Sequence, residues 1–260
     1  MRRALAARCE RDLPHGAADL LRQLALFALA YAGYEAGRGL VGVTGGRPFA
    51  NATRIIDFER GLHVFVEPRV QRWVTLHAHW LLDLADWTYL NAHFALTLGA
   101  LAFIYLRRND SFYFVRNMFM VAMLIALVCY CVYPTAPPRL MPQWGFSDSI
   151  QQFTGVNAQQ GPSSLFLNPY AAVPSMHVCV ALMIGLPMSR LVHGRVARVL
   201  WRLYPAFIGF VVVVTANHYF TDVVLGALTA GAAALLSKQL LARARPDVWA
   251  FGLGASRSSA

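Results

Sequence analysis

Long runs of apolar residues recur along this chain, and they constrain its fold more than any other feature. A helix needs about 20 predominantly apolar residues to cross the hydrocarbon core of a bilayer. The stretches that approach this length cover residues 20–43, 87–106, 112–133, 174–192, 199–216 and 218–241. Because backbone N–H and C=O groups cannot be left unpaired in lipid, we expect an all-α, polytopic membrane protein with six transmembrane helices.

The composition supports this expectation. Hydrophobic residues make up 57% of the chain and charged residues only 14%, whereas a soluble domain carries about 25% charged residues. The length of 260 residues suits a single membrane-embedded domain, which we expect over residues 18–242. Residues 1–17 are expected to form a cytoplasmic N-terminal segment, and residues 243–260 a flexible cytoplasmic tail.

Two segments differ from the six predicted spans. In residues 44–80, apolar side chains such as Ile55, Ile56 and Phe58 are interleaved with Arg, Asp and Glu, a pattern typical of helices that lie along a membrane interface. We therefore expect interfacial amphipathic helices between spans one and two. Residues 134–172 are rich in Pro, Gly, Ser, Asn and Gln, and this composition predicts an extramembrane loop.

The formal charge of +10 would suggest nucleic-acid binding in a soluble protein, but here the position of the charges explains it. Most of the 23 Lys and Arg residues lie near the two termini or in the turns after spans two and four. Six crossings bring these segments to the same side, and short basic segments stay in the cytoplasm. The sequence thus predicts a multi-pass protein of the cell membrane, in contact with the bilayer and with no nucleic-acid partner.

Three polar motifs fall on the opposite, extracytoplasmic side. "PTAPPRL" (134–140) follows span three, "VPSMH" (173–177) leads into span four, and "NHYFTD" (217–222) leads into span six. They are distant in the sequence, yet six-span threading brings all three to one face of the membrane. This convergence predicts a functional site that faces the extracytoplasmic side.

The residue types in these motifs suit phosphate chemistry. Pro174 favours the first turn of a helix, so the free N–H groups of that turn can bind an anion together with the Ser175 hydroxyl. Arg139 can donate two parallel hydrogen bonds to phosphate oxygens. His177 can give or take a proton near neutral pH.

His218 and Asp222 are four residues apart, so a helix would place them on one face. The carboxylate can then hold one imidazole nitrogen as N–H and leave the other free as a nucleophile or base. A structural His–Asp pair is the alternative, and the companion motifs on the same face argue against it. His93 and the other histidines are expected to be structural or solvated, whereas Tyr89 is a candidate to line the site.

These residues resemble the type-2 phosphatidic acid phosphatase superfamily, which also contains the vanadium haloperoxidases. Its PSGH motif is similar to "PSMH", its HxxxD ending to His218 and Asp222, and its Arg-Pro motif more weakly to "PPRL". "RIIDFERGLHVFVEPRVQRW" (54–73) further resembles the branch of inositol phosphorylceramide synthases and related inositolphosphotransferases. The resemblance implies that His218, His177 and Asp222 are catalytic, and that Arg139 and Ser175 bind the substrate phosphate.

Two positions depart from the superfamily pattern. Val132 stands where the first motif has a lysine, and Val212 stands where the third motif has an arginine. A phosphodiester carries one negative charge and a monoester nearly two, so fewer cations suit a diester better. The same loss argues against a vanadate haloperoxidase, whose oxyanion carries more charge.

The sequence therefore predicts an integral-membrane phosphotransferase that acts on a phospholipid or polyprenyl phosphate through a phosphohistidine. We expect it to transfer a phosphorylated headgroup to an alcohol or lipid acceptor, with no cofactor and no metal ion. Two alternatives stay open. One is a lipid phosphate phosphatase, and the other is a non-enzymatic lipid-binding or transport protein.

Overall fold

The chain forms helices and connecting turns, and no β-strand, over the residues that its computed structural model describes, which are 13–40, 46–155 and 170–241. This all-α architecture agrees with the apolar runs in the sequence. Residues 1–12 and 242–260 lie outside the described part. The predicted tail, residues 243–260, therefore falls entirely outside it, as do residues 41–45 and residues 156–169 of the predicted extramembrane loop.

The α-helices of the described residues follow one another in simple order. They are α1 (Gly16–Leu40), α2 (Arg47–Gly61), α3 (Glu67–His77), α4 (His79–Trp87), α5 (His93–Arg107), α6 (Asn109–Val132), α7 (Ser149–Thr154), α8 (Met176–Leu191), α9 (Arg195–Val214) and α10 (Phe220–Leu236). A π-helical turn, Thr88–Ala92, joins α4 to α5, and a second one, Ser237–Leu241, extends α10. Pro138–Leu140 and Pro142–Trp144 form short 3₁₀ turns.

Four helical stretches are long and apolar enough to cross a membrane. They are His79–Arg107, Asn109–Val132, Arg195–Val214 and Phe220–Gln239. These stretches match predicted spans two, three, five and six, and they indicate a membrane protein.

The other two predicted spans are not among these four. The apolar helix α8 has 16 residues, which is fewer than the roughly 20 that a crossing perpendicular to the bilayer needs. Helix α1 has 25 residues, but Arg22, Glu35 and Arg38 interrupt its apolar character. Six crossings therefore stay a prediction.

The second predicted span begins earlier than expected, at His79 instead of residue 87. The segment "LLDLADW" (81–87), with its two aspartates Asp83 and Asp86, thus belongs to this helical stretch. In the structure Asp86 is almost fully buried and its carboxyl group accepts a hydrogen bond from the Ser149 hydroxyl at 2.8 Å. Since α7 satisfies this polar group, the aspartate does not end the helix.

Helix α8 lies at the centre of the bundle and packs against α5, α6, α9 and α10. Small residues permit the closest of these contacts. A Cβ atom on Gly185 would lie 2.8 Å from the Trp201 carbonyl oxygen, so the backbones of α8 and α9 approach each other closely here. The apolar core around this crossing includes Ile104, Val115 and Ile208. This core packs α8 against its neighbouring helices.

Helices α2 and α3 pack against the segment that follows α6 and against the start of α10. The Asn51 side chain donates to the Pro134 carbonyl oxygen at 2.8 Å, and the Gln71 side chain donates to that of Ser147 at 2.9 Å. Ile55 and Ile56 face inward and are buried, whereas Asp57 and Phe58 face outward. Helix α2 is amphipathic, as its interleaved sequence predicts, whereas α3 buries Glu67 and Gln71 and exposes Trp73 and Leu76. That the two helices lie along a membrane interface stays a prediction.

Candidate active site

His177 and His218 lie close to each other at one end of the bundle. His177 is the second residue of α8, and His218 lies in the short connection between α9 and α10. The centroids of the two imidazole rings are 6.0 Å apart and the ring planes are inclined by 58°. Segments separated by about 40 residues in sequence are thus brought to one place, as the threading argument predicts.

Asp222 holds the ring of His218. Its Oδ2 atom lies 3.4 Å from Nδ1 of His218 and accepts the backbone N–H of Tyr219 at 3.0 Å. Asp222 is fully buried, and His218 is only 6% exposed. A proton on Nδ1 that points to the carboxylate leaves Nε2 of His218 as the nitrogen with a free lone pair.

The expectation that both residues share one helix face is wrong. Helix α10 begins at Phe220 with Tyr219 as its N-cap, so His218 precedes the helix and Asp222 is in its first turn. Asp222 meets His218 because its carboxylate folds back over the helix start and accepts the Tyr219 N–H. The pair therefore depends on the capping turn, not on helical periodicity.

His177 stacks on Tyr89. Their ring centroids are 4.4 Å apart with an inclination of 24°. Tyr89 belongs to the π-helical turn between α4 and α5, and such turns are frequent at functional sites. Tyr89, a sequence-based candidate to line the site, therefore lies beside His177. Asn91, the second such candidate near the start of this span, is exposed, and its side-chain amide donates to the carbonyl oxygen of Trp87.

His93 is a neighbour of His177 that the sequence analysis left among the structural histidines. The two ring centroids are 5.2 Å apart. Nδ1 of His93 is also 2.7 Å from the Tyr204 hydroxyl, so this side chain has a buried hydrogen-bond partner of its own. Its nearness to His177 could not be read from sequence, because it depends on how α5 packs against α8.

Arg139 reaches the site from the 3₁₀ turn after α6. Its backbone N–H donates to the Ala216 carbonyl oxygen at 2.8 Å, and its guanidinium donates to the Asn217 side chain. The Nε atom is 3.7 Å from a carboxylate oxygen of Asp148. Arg139 is thus tied to the connection that carries His218.

Ser175 is the N-cap of α8, and its Oγ atom accepts the N–H of Val178 at 3.5 Å. The expectation that Pro174 belongs to the first turn is wrong, because the helix begins at Met176 and Pro174 precedes the cap. The backbone N–H of Ser175 donates to the Asp222 carbonyl oxygen at 3.1 Å. This bond joins the start of α8 directly to the start of α10.

Neither of the two valines that replace superfamily cations faces the histidines. Val132 is 64% exposed at the end of α6. Val212 is completely buried in the apolar core, and its carbonyl oxygen accepts the backbone N–H groups of Asn217 and His218, each at 3.0 Å. Any compensating charge must come from another part of the chain.

Arg38, near the end of α1, supplies a positive charge that no motif indicated. It forms an ion pair with Glu35 at 2.9 Å, and its guanidinium lies 6.0 Å from the centroid of the Tyr130 ring. The Tyr130 hydroxyl in turn donates to the Pro174 carbonyl oxygen at 3.1 Å. Arg38 therefore lies behind the start of α8, close enough to interact electrostatically with His177.

An apolar groove adjoins the site between α2, α6 and α10. Its volume is about 530 Å³ and its lining is almost entirely apolar. Val128 and Leu225 form part of the walls, and Arg54 is among the residues that line the groove. Val173 and Thr221 also line it, so the groove reaches the two segments that carry His177 and His218.

The family comparison agrees with this geometry. A family model described as the PAP2 superfamily matches residues 53–236, from α2 to the end of α10, and so includes all five predicted site residues. No curated protein matches the chain. No solved structure matches it either. With most of its length covered by this match, the chain belongs to the PAP2 superfamily, whose members are generally phosphatases acting on phosphate esters.

Proposed function

We propose that the protein is an integral-membrane phosphotransferase that acts on lipid phosphate esters through a phosphohistidine on His218. The observation that carries this proposal is the pair of imidazoles, 6.0 Å apart, one of which is oriented by a buried aspartate. A nucleophile and a proton donor at that separation can flank one phosphorus atom and its leaving oxygen.

In the first step Nε2 of His218 attacks phosphorus and the bond from phosphorus to the leaving oxygen breaks. His177 gives its proton to that oxygen, and Asp222 stabilises the positive charge that develops on His218. In the second step neutral His177 removes a proton from an incoming hydroxyl group, whose oxygen displaces His218 from phosphorus. The resting protonation states are then restored, and the cycle requires neither a metal ion nor a cofactor.

Arg139 and Arg38 are the cations proposed to stabilise the phosphoryl oxygens, with Ser175 and the first N–H groups of α8 as further donors. Charge placed where the transition state develops it has the largest effect on rate. Two arginines are fewer cations than the superfamily motifs supply, and this favours a phosphodiester over a monoester. Transfer of a phosphorylated headgroup, as in the inositolphosphotransferase branch, is therefore the proposed reaction.

The apolar groove supports a lipid substrate. It adjoins both histidine-bearing segments and offers almost no polar partner for a ligand, so a hydrocarbon chain fits it better than a soluble headgroup. We propose that a phospholipid or polyprenyl phosphate lies with its chain in this groove and its phosphate between the histidines. In the proposed topology six helices cross the cell membrane, α2 and α3 lie at the interface, and the site faces the extracytoplasmic side.

The test uses purified protein and a panel of phospholipids and polyprenyl phosphates labelled with ³²P, each with and without an alcohol acceptor and with a chelator present. A new labelled lipid that requires the acceptor supports transfer, whereas release of free phosphate makes the protein a phosphatase. Label bound to protein, stable in base and labile in acid, identifies the phosphohistidine.

Two variants accompany this assay. His218→Ala and His177→Ala are expected to lower turnover by about 10³-fold or more, because each removes a group that acts directly on the reacting atoms. His77→Ala, at an exposed histidine of α3, is the matched control and should turn over normally. Near-normal turnover by His218→Ala would overturn the mechanism, and vesicle binding or lipid flux without turnover would favour the transport alternative.

A further inference from the structure

Two glutamates from the amphipathic helices meet at the first turn of α10. Glu59 lies near the end of α2, Glu67 begins α3, and both are completely buried. Oε1 of Glu67 accepts the backbone N–H of Phe220 at 2.9 Å, and Oε1 of Glu59 accepts that of Thr221 at 2.7 Å. Together with Asp222, which accepts the N–H of Tyr219, three carboxyl groups cover three successive N–H groups of this helix start.

The remaining oxygens of the two glutamates face a different environment. Oε2 of Glu59 and Oε2 of Glu67 are buried, and no donor group among the described residues reaches them. The two carboxyl groups bind the N–H groups of adjacent residues and so lie close together, and the charge of Glu67 acts on Glu59. Two ionised carboxylates in contact away from water would repel strongly, whereas one proton between them forms a hydrogen bond.

The surroundings of the pair favour this protonated arrangement. Burial, followed by the hydrogen bond to Glu67, raises the pKa of Glu59 to about 8. Tyr219 and Asp222 of α10 also interact with the pair and neither is cationic, and Arg69 and Arg72 of α3 are exposed.

The arginines next to Glu59 on α2 are directed elsewhere. The guanidinium of Arg54 is hydrogen-bonded to Asn51, and that of Arg60 lies over the ring of Trp144. No arginine of α2 is therefore paired with either glutamate, and a proton remains the means of relieving their repulsion.

We propose that Glu59 and Glu67 are positioning residues, a carboxyl pair that holds one proton and one negative charge and thereby fixes the turn that orients His218. Their role in turnover rests on the proposed function. Their role in fixing the helix start does not.

The physical basis is the position of the two capped amides. Phe220 and Thr221 lie between Tyr219, whose N–H binds Asp222, and Asp222 itself, so any movement of these amides moves the carboxylate that holds His218. A helix start carries a partial positive charge, and one negative charge stabilises it. Two charges would repel each other, and no charge would leave the amides with weaker, uncharged acceptors.

The first experiment is a double-mutant cycle with Glu59→Gln, Glu67→Gln and the two combined, with Asp57→Asn at an exposed position of α2 as the control. A single glutamine can accept the same backbone N–H and donate to the remaining carboxylate, as the acid does. Each single variant is therefore expected to keep kcat within about threefold. In the double variant two amide groups donate toward each other, so its kcat should fall about tenfold below the value that the product of the two single losses predicts. The midpoint of thermal unfolding, measured in detergent without substrate, should show the same non-additivity.

The second experiment varies pH. The pKa of Glu59 is raised from 4.5 to about 8, so its protonation stabilises the folded state fully below pH 4.5, and this contribution is lost as pH rises to about 8. The difference in unfolding temperature between the wild type and Glu59→Gln should therefore shift against the wild type between these values and stay constant above them. The kcat of the wild type, divided by that of Glu59→Gln, should fall above pH 8, because both glutamates then ionise in the wild type and only one can ionise in the variant.

The outcomes separate the two proposals. A double variant that equals the sum of the singles, with a pH-independent difference between the wild type and Glu59→Gln, refutes the shared proton. If the double variant does not fold, the pH comparison of the single variants decides. If the wild type turns over no lipid at all, the proposed function fails, and the unfolding measurements still decide on the carboxyl pair.

Discussion

Arg139 and Arg38 bring positive charge near the segments that carry the two histidines, Arg139 through Ala216 and Arg38 through Tyr130. Arg139 is held by Asn217 and Asp148, and Arg38 by Glu35 and the ring of Tyr130. Each guanidinium is thus fixed before any substrate binds. A preset cation needs no rearrangement when charge develops on a phosphoryl group.

This arrangement predicts the effect of removing each charge. Arg139→Gln and Arg38→Gln should each lower kcat/KM by at least about tenfold, because a hydrogen bond to a charged group contributes about 1.5–3 kcal/mol. Arg38→Lys should restore part of the loss. Steady-state kinetics on the labelled lipid measures both values.

The control for these variants is Arg47→Gln. Arg47 is exposed and donates to the Val132 carbonyl oxygen at 2.9 Å, so its loss should leave kcat/KM within about twofold. If Arg38→Gln behaves like this control, Arg38 has no part in phosphate binding.

His177, His218, Asp222 and Arg139 could be proposed as site residues from the sequence, because each belongs to a short motif whose chemistry can be recognised without knowledge of the fold. Arg38 could not be found in this way. With Glu35 three residues before it, Arg38 looks like a charge that faces protein or headgroups. Its relation to the site follows only from the packing of α1 against α6, which brings it onto Tyr130.

At the scale of elements, the start of α8 meets α10 at a glycine in the second turn of α10. A Cβ atom on Gly226 would overlap the Ser175 carbonyl oxygen. A side chain there would push the start of α8 away from α10 and stretch the hydrogen bond from Ser175 to Asp222. Gly226 is therefore required by close approach and not by an unusual backbone conformation.

Gly226→Ala is accordingly expected to destabilise the fold by about 1–3 kcal/mol, the usual cost of overpacking a tight contact, and to reduce kcat along with it. Gly231→Ala is the matched control, since a Cβ on Gly231 of the same helix would meet nothing within 4 Å. That variant should be neutral or stabilised by up to about 1 kcal/mol. Unfolding in denaturant and turnover measure the two effects, and equal behaviour of both variants would contradict the close contact.

Helix existence was more predictable than helix boundaries. Apolar runs gave the four membrane-length helices, because burial in lipid dictates composition over a full span. The starts of α8 and α10 were each predicted two residues early, since Pro174 and His218 look compatible with a first turn. Ser175 and Tyr219 act as the caps instead, and cap geometry depends on tertiary partners such as Asp222.

At the scale of the whole molecule, the distribution of arginines predicts which side of the membrane the site faces. Single cysteines introduced into a cysteine-free background test this orientation. Gln152→Cys, exposed in α7 on the same side as the site, should react with an impermeant maleimide in intact cells. Arg195→Cys, exposed at the start of α9, should react only after the cells are permeabilised.

The reverse labelling pattern would place the site toward the cytoplasm, and labelling of both positions in intact cells would contradict the six-span arrangement. The assay therefore checks the orientation together with whether α8, the helix between the two positions, crosses the membrane. Neither property follows from side-chain contacts within the bundle, because both depend on how charged segments are retained during insertion.

The hydrogen bond from Ser175 to Asp222, with Gly226 pressed against the same loop, makes the two histidine-bearing segments one rigid unit. The spacing between His177 and His218 is thus a property of the main chain. In the proposed mechanism, the conformational entropy of arranging these groups would be lost once, during folding, and not again in each catalytic cycle. Motions that admit the proposed lipid and release a product would then take place in the surrounding helices, while the two histidines keep their positions.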